Sequence, residues 1–270
     1  MEQKILITDL DGSLLDPETY GYEAAKPGLE LLAARRIPVI FCTSKTRAEV
    51  EHLRQEVGNQ DPFIVENGGA IYIPHGYFPR LPVPARSREG YDVVECGVPY
   101  AQLRENLRTI AQSLGVSIKG FGDMTPEELA QMTGLSPAQA VLAQQREYDE
   151  PFLVIDQDKL DDMCREAERR GLTVILAGRF AHLVGKAHHK GTACRILLAC
   201  YRQQGERCLA AAIGDSVNDF PMLEQVEYPF LVEQRGGGYP AETTVKGLVY
   251  VKGVGPQGWV RAVRQFLEEP

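Results

Sequence analysis

A short apolar strand that ends in two aspartates is the feature that most limits what this chain can form. Residues 5–7 are Ile-Leu-Ile, and Asp9, Asp11 and Gly12 follow closely. An apolar run this short predicts a buried strand of a helix-covered sheet. Side chains at i and i+2 of a strand share a face, so two carboxylates crowd together unless a cation or a shared proton relieves them. The stretch is therefore a candidate for phosphoryl transfer beside Mg²⁺, although Asp-Gly also occurs in ordinary acidic turns.

Composition narrows the protein class. The chain has 270 residues and no apolar stretch near the length of a membrane helix. The first strand begins within a few residues of the N-terminus, which leaves no room for a signal peptide and predicts a cytoplasmic protein. The net charge of -8 argues against binding to nucleic acid or an anionic membrane, but it allows a small anionic substrate. The six cysteines include no Cys-x-x-Cys, so reduced thiols are expected rather than zinc ligands.

Alternating strand and helix patterns predict an α/β protein with a mostly parallel sheet and helices on both faces. The pattern occupies residues 1–85, is interrupted, and resumes over 187–270. The intervening residues 86–186 carry their own strand and helix patterns. We therefore predict a core formed by the two outer blocks and an inserted α/β domain.

A second acidic cluster follows another apolar strand. The run Gly214–Asp219 reads Gly-Asp-Ser-Val-Asn-Asp and precedes a short helix. Ligands of open parallel sheets bind at the carboxyl ends of the strands, where Asp9, Asp11 and Asp215 are expected to converge. Oxygen ligands suit Mg²⁺, so the pair of clusters predicts a magnesium site.

The two clusters together resemble the motifs of the haloacid dehalogenase-like hydrolases. The resemblance implies a Rossmann-like core, Mg²⁺ and an aspartyl-phosphate intermediate, and it makes the insertion a cap over small phosphorylated metabolites, mainly sugar phosphates. The matching positions imply these roles: Asp9 as nucleophile, Asp11 as acid and base, Thr43 as a phosphate-binding hydroxyl, Lys190 as the basic residue beside the nucleophile, Asp9, Asp11, Asp215 and Asp219 around the metal, and Ser216 and Asn218 as loop supports or phosphate contacts.

A narrower resemblance covers nearly the whole chain. Five segments look like those of mannosyl-3-phosphoglycerate phosphatases: Thr43–Thr46, Glu66–Gly69, Arg146–Glu150, Gly178–Phe180 and Gly255–Trp259. On this basis Glu66 and Asn67 are expected to bind sugar hydroxyls, while guanidinium groups grip the glycerate carboxylate. The full set of substrate-binding candidates is Ser44, Lys45, Glu66, Asn67, Gly68, Gly69, Arg146, Arg179, Ser216 and Asn218, with both glycines permitting close backbone approach to the ligand.

Several alternatives stay open at this stage. Thr43 also suits a helix cap, Arg146 an intrahelical ion pair and Arg179 a hairpin turn. The resemblance implies hydrolysis of mannosyl-3-phosphoglycerate to mannosylglycerate, a compatible solute. Its rivals are a general sugar-phosphate, sucrose-phosphate or glucosyl-3-phosphoglycerate phosphatase, a phosphomutase, and a silent protein that binds a phosphorylated metabolite. The sequence does not give the oligomeric state.

Overall fold

The computed structural model describes residues 2–154, 156–177, 180–205, 207–240 and 243–269. Its strands form a nine-stranded sheet in the order β13-β12-β11-β1-β2-β3-β4-β6-β5 and a four-stranded sheet in the order β7-β8-β10-β9. The strand bounds are β1 Glu2–Thr8, β2 Val39–Cys42, β3 Phe63–Val65, β4 Ala70–Pro74, β5 Arg86–Arg88, β6 Tyr91–Glu95, β7 Ile118–Gly120, β8 Glu150–Val154, β9 Leu172–Ala177, β10 Phe180–Gly185, β11 Arg207–Gly214, β12 Tyr228–Glu233 and β13 Val249–Val254.

The helices alternate with these strands along the chain. Their bounds are α1 Lys26–Ala34, α2 Arg47–Val57, α3 Tyr100–Leu114, α4 Pro126–Thr133, α5 Pro137–Ala143, α6 Leu160–Arg169, α7 Lys190–Arg202, α8 Phe220–Leu223 and α9 Gln257–Glu268. None of the helices described is both long enough and apolar enough to cross a membrane.

Strand β1 lies at the centre of the large sheet and is buried on both faces. It pairs in parallel with β11 and with β2, and parallel pairing continues from β13 through to β3. Leu6 packs with α1, α2 and α9 on one face, while Ile5 and Ile7 pack with α7 and α8 on the other. The three-layer α/β core expected from the apolar run is confirmed.

The four-stranded sheet is an inserted α/β cap, and its pairings are antiparallel. Leu103 of α3 and Met163 of α6 pack on one face of this sheet with Phe152. The other face carries α4 and α5, whose Leu129 packs beside Phe180 of β10. The β9–β10 hairpin expected from the sequence is confirmed, but its turn, with Arg179, lies outside the described residues.

The structure differs from the expected start of the insertion at residue 86. Strands β5 and β6 pair with each other, and β6 pairs with β4, so both belong to the large sheet. The sequence did not predict this antiparallel extension, because the residues before β5 are loop-rich and short edge strands carry little periodicity. We propose that the chain leaves the core after Glu95 and returns between Gly185 and Lys190.

Candidate active site

The loops after four neighbouring strands bring the predicted side chains to one edge of the large sheet. In the order β11-β1-β2-β3, these strands are followed by Asp215, Asp9, Thr43 and Glu66. Carboxyl ends of parallel strands meet at the same edge, which is where ligands of such sheets bind. The convergence expected from the two acidic clusters is therefore present.

Lys190, the first residue of α7, lies between two carboxylates. Its Nζ donates to Oδ1 of Asp9 at 2.6 Å and to Oδ1 of Asp219 at 2.7 Å, and its side chain is only 2% exposed. Burial alone would lower the pKa of Lys190, but Asp219 and Asp9 hold it well above its usual value. A permanently charged ammonium group thus lies against Asp9.

Three carboxylates meet beside this lysine. Asp9, Asp215 and Asp219 each offer an oxygen, and these oxygens lie within 4.8 Å of one another. Burial and the neighbouring carboxylates, against the opposing effect of Lys190, raise the pKa of Asp9 to about 7 and that of Asp215 to about 8. Crowded carboxylate oxygens with raised pKa values are the donor set that a hard divalent cation would stabilise.

The three carboxylates differ in how many partners they already have. Oδ2 of Asp219 accepts from the backbone N–H groups of Asp215 and Ser216, both at 3.0 Å, and from the Ser216 hydroxyl at 3.1 Å. With Oδ1 bound to Lys190, both Asp219 oxygens are engaged. Among the described residues, the Asp215 carboxylate has no hydrogen-bond or ion-pair partner. Asp215 is therefore better placed than Asp219 to bind a cation directly.

Asp11 is separate from this group. Its Oδ1 lies 2.9 Å from Nζ of Lys45, and Asp11 is not one of the three clustered carboxylates. Gly12 turns the chain at a positive φ of 80°, and a Cβ there would lie 2.8 Å from Oδ2 of Asp215. The Asp11 carboxylate therefore lies outside the cluster of Asp9, Asp215 and Asp219, and its place among the metal ligands stays a prediction.

Hydrogen bonds that involve Thr8 and Trp259 fix the backbone of Asp9. Thr8 Oγ1 donates to the Asp9 carbonyl at 2.7 Å and accepts from Nε1 of Trp259 at 2.8 Å. Trp259 lies in α9 and is fully buried. The segment containing Trp259 was noted in the sequence as a resemblance only, and the structure gives it this packing role.

Thr43 and the segment after β3 are buried beside the cavity rather than lining it. The Thr43 hydroxyl accepts from the Lys45 backbone N–H at 3.2 Å. Glu66 accepts from the backbone N–H groups of Glu147 at 2.9 Å and Tyr148 at 2.8 Å, which lie just before β8 of the cap. Burial raises the pKa of Glu66 to about 8, against the opposing effect of Arg146. The Glu66 carboxylate is therefore bound to the protein's own backbone and does not line the cavity.

The neighbours of Glu66 are likewise engaged with the protein. Asn67 donates to Oδ2 of Asp149 at 2.9 Å and accepts from Nδ2 of Asn218 at 2.8 Å. At Gly68, where φ is 98°, a Cβ would lie 2.5 Å from the carbonyl oxygen of His189, and Gly69 packs against Tyr148. The expected close approach exists, but it is to the start of α7 and to the cap rather than to a ligand.

Arg146 bridges the cap and the core. Its Nη1 donates to the Ser44 carbonyl at 2.8 Å, its Nε donates to the Ala143 carbonyl at 2.9 Å, and Nη1 lies 3.7 Å from Asp149. The alternative of an intrahelical ion pair does not apply, because Arg146 follows the end of α5. Arg179, the second predicted guanidinium, lies outside the described residues.

A cavity of about 740 Å³ lies between core and cap above these groups. Several predicted residues line it: Asp9, Asp11, Ser44, Lys45, Arg146, Lys190, Asp215, Ser216 and Asn218. Sequence reasoning missed its aromatic and apolar cap wall and His182. One signal was available, because His182 is two residues after Phe180 and thus shares its face of β10.

Comparisons with known proteins agree with the fold described above. A family model for haloacid dehalogenase-like hydrolases matches residues 6–78. A solved phosphatase of the haloalkanoate enzyme superfamily from Bacteroides thetaiotaomicron aligns with a TM-score of 0.68 over 98% of this chain and 95% of its own, at 18% identity, which supports the fold alone.

Sequence relatives extend the match to nearly the full length. The chain is 41% identical over 264 residues, 97% of both chains, to a protein of Methanococcoides burtonii named glucosyl-3-phosphoglycerate/mannosyl-3-phosphoglycerate phosphatase. The chain belongs to the haloacid dehalogenase-like hydrolases and is a phosphoric monoester hydrolase. A second relative, from Pyrococcus horikoshii, is named mannosyl-3-phosphoglycerate phosphatase and is 38% identical over 85% of this chain and 90% of its own.

Proposed function

We propose that this phosphatase hydrolyses mannosyl-3-phosphoglycerate to mannosylglycerate through an aspartyl-phosphate on Asp9, with Mg²⁺ as its metal. The observation that carries the chemistry is the ion pair of 2.6 Å between Lys190 and Asp9 inside a cluster of three carboxylates. The names of relatives at 41% and 38% identity support the substrate. Glucosyl-3-phosphoglycerate is the second candidate, since the Methanococcoides relative carries both substrates in its name.

The chain's own groups divide the chemical work. Asp9 attacks the phosphorus atom, and Lys190 holds its Oδ1 and screens the charge between nucleophile and phosphate. Asp11 protonates the leaving oxygen and later takes a proton from the attacking water, while Lys45 holds its carboxylate in the cavity.

Asp9 and Asp215 would hold Mg²⁺, which neutralises phosphate charge when bound. Asp219 supports this pair indirectly, since its oxygens are bound to Lys190 and to the loop backbone.

The phosphate itself has donors on two loops. Ser44 follows β2 and Ser216 and Asn218 follow β11, and all three line the cavity. Thr43 is fully buried, and its hydroxyl accepts a hydrogen bond from the Lys45 backbone N–H. We keep the proposal, taken from the family resemblance, that this hydroxyl also contacts the phosphate. Donors fixed by the backbone around the transferring group need no reorganisation during reaction.

The cap selects the substrate in this proposal. A cavity of about 740 Å³ falls within the range of small-molecule sites and accommodates a glycosyl group with a glycerate. Glu66 and Asn67 act by attaching the cap to the core, a revision of the sugar-binding role expected from the sequence.

A substrate panel tests the proposal. Initial rates would be measured with mannosyl- and glucosyl-3-phosphoglycerate, mannose and glucose phosphates, and p-nitrophenyl phosphate. We expect the highest kcat/KM with the glycosyl-3-phosphoglycerates. A higher value with simple hexose phosphates would reject the substrate assignment and leave the phosphatase chemistry in place.

A further inference from the structure

A histidine and an aspartate of the cap form a pair at the cavity wall. His182 lies in β10, and its Nδ1 lies 2.9 Å from Oδ2 and 3.1 Å from Oδ1 of Asp149. Asp149 is fully buried, while the ring of His182 lines the cavity. An imidazole whose Nδ1 is bound to a carboxylate turns its other nitrogen, Nε2, away from that carboxylate.

Asp149 is itself fixed by several neighbours. Asn67 donates to its Oδ2 at 2.9 Å, and Nη1 of Arg146 lies 3.7 Å from the same oxygen. Burial acts to raise the pKa of Asp149, but His182 and Arg146 hold it below its usual value. Asp149 is therefore an ionised acceptor, and it keeps Nδ1 of His182 as the donor. Among the residues that the structure describes, Nε2 has no hydrogen-bond partner.

The other positively charged side chains described in the cavity wall already have ion-pair or hydrogen-bond partners. Lys190 pairs with Asp9 and Asp219, Lys45 pairs with Asp11, Arg235 pairs with Glu18 at 3.0 Å, and Arg146 binds two backbone carbonyls. In the described part of the cap wall, His182 thus has a ring nitrogen, Nε2, that is still available to a ligand. His182 belongs to cap strand β10, whereas Asp9 and Lys190 belong to the core, so its ring contributes to the cap side of the cavity lining.

We propose that His182, oriented by Asp149, binds the carboxylate of the substrate's glycerate unit as the imidazolium, which donates Nδ1–H to Asp149 and Nε2–H to that carboxylate. The inference rests on the proposed function and assigns one part of that substrate to one residue. Asp149 is a positioning residue, since it acts through the ring. Donation from a ring nitrogen to a carboxylate is a charge-assisted hydrogen bond, which discriminates strongly against ligands without that charge.

A matched pair of ligands tests this assignment. 3-Phosphoglycerate and glycerol 3-phosphate differ in having a carboxylate or a hydroxymethyl group, and their competitive inhibition constants would be measured with p-nitrophenyl phosphate as reporter substrate. We expect wild type to prefer 3-phosphoglycerate, and His182→Gln to lose at least tenfold of that preference. His75→Gln, the same change at an exposed site outside the cavity, is the control and should keep the preference.

Kinetics with the proposed substrate give a second measurement. In His182→Gln, kcat/KM for mannosyl-3-phosphoglycerate should fall at least tenfold more than kcat/KM for p-nitrophenyl phosphate, with most of the difference in KM. Asp149→Asn should change the inhibitor preference in the same direction. Because it acts through the ring, it should add little in the double variant with His182→Gln.

The outcomes separate this inference from the proposed function. If wild type prefers glycosyl-3-phosphoglycerates but His182→Gln retains the inhibitor preference, the role of His182 is wrong and the function stands. If wild type prefers hexose phosphates, the proposed function fails. Equal losses on both substrates would assign His182 a structural role. His182→Asn and His182→Phe, with thermal unfolding of each variant, serve in place of a glutamine variant that does not fold.

Discussion

At the scale of single residues, the reactive end of the site is a carboxylate held in a buried ion pair. As the proposed nucleophile, Asp9 would need its negative charge to attack phosphorus, yet burial raises its pKa to about 7. Lys190 and a bound cation each favour the charged form, so the lysine pair and the proposed metal act on the same protonation equilibrium. This balance leads to two predictions about Asp9 and its neighbours.

Asp9→Asn should abolish turnover while the fold is retained, because an amide keeps the shape of the side chain but cannot attack phosphorus. Phosphate-monoester hydrolysis is so slow without a catalyst, with enhancements up to ~10²¹, that residual binding effects cannot replace the nucleophile. Steady-state rates and thermal unfolding would be measured together. A near-normal rate in a folded variant would refute the covalent mechanism.

Metal binding should strengthen as the pH rises from about 6 to about 9. The pKa values of Asp9 and Asp215, about 7 and about 8, mean that both carboxyls must lose protons when a cation binds. Calorimetric titration of EDTA-treated protein with Mg²⁺ in buffers of different ionisation enthalpy would count the released protons. Removal of metal by EDTA should abolish activity. Full activity in protein that is metal-free by elemental analysis would exclude the site.

The two predicted guanidinium groups should behave differently. Arg146 holds the Ser44 and Ala143 carbonyls, so Arg146→Ala should lower kcat/KM for mannosyl-3-phosphoglycerate and p-nitrophenyl phosphate by similar factors. For Arg179 the sequence-based expectation stands: Arg179→Ala should lose more than tenfold on the glycerate substrate alone, since truncating one partner of a buried charged pair costs about 2–5 kcal/mol. Selective loss in Arg146→Ala would restore its direct role in recognition.

At the scale of secondary-structure elements, helix starts were the most predictable features. The runs Thr-Pro-Glu-Glu from Thr125 and Ser-Pro-Ala-Gln from Ser136 are typical of helix starts, and α4 and α5, which follow them, both begin with a capping box. The same local chemistry begins α2 at Thr46, although the sequence drew attention to the preceding Thr43 as a cap. Thr46 also donates to the Leu142 carbonyl at 2.9 Å at the end of α5, so this cap connects core and cap domain.

Thr46→Ala should therefore destabilise the protein more than Thr125→Ala, its matched control at an exposed capping box. Loss of a threonine cap costs about 1 kcal/mol, and the bond to Leu142 adds about 0.5–1.5 kcal/mol at the buried site. Urea unfolding followed by circular dichroism would give both free energies. Equal destabilisation would mean that the Leu142 contact contributes nothing.

At the scale of the whole molecule, the cap is attached through buried polar contacts beside the active site. Glu66 at the end of β3 accepts two backbone N–H groups from the segment before β8, and Asn67 binds Asp149 beside it. These bonds join the two sheets next to the cavity. The position of the cap, and with it the shape of the cavity, depends on this junction.

The junction predicts a pH dependence of stability. Burial raises the pKa of Glu66 from 4.5 to about 8, so the folded state binds this proton more tightly than the unfolded state. The free energy of unfolding should fall as the pH rises from about 4.5 through about 8. In EDTA, Asp9 and Asp215 act in the same direction.

Glu66→Gln should flatten part of this slope, and added Mg²⁺ should remove the part due to the two aspartates. Urea midpoints at several pH values would measure both. An unchanged slope in a folded Glu66→Gln variant would contradict the prediction.

What the sequence determined by itself was which core side chains come together at the site. The buried strand β1, the aspartates at i and i+2, the second cluster at Gly214–Asp219 and Lys190 at the return to the core were all found from local pattern and family resemblance. Local pattern is enough here, because a parallel sheet brings the carboxyl ends of its strands to one edge whatever their separation in sequence.

Only the tertiary structure decided which partner each polar side chain takes. Glu66 binds the cap backbone, Arg146 binds the Ser44 carbonyl, and Asp149 binds His182. Each contact joins separate elements, and sequence periodicity does not predict which elements meet. A residue's type sets what it can bind, but the packing of two sheets against each other sets which atoms come within about 3 Å. That is why the proposed nucleophile could be found from the sequence, while the cap wall proposed to face the rest of the substrate could not.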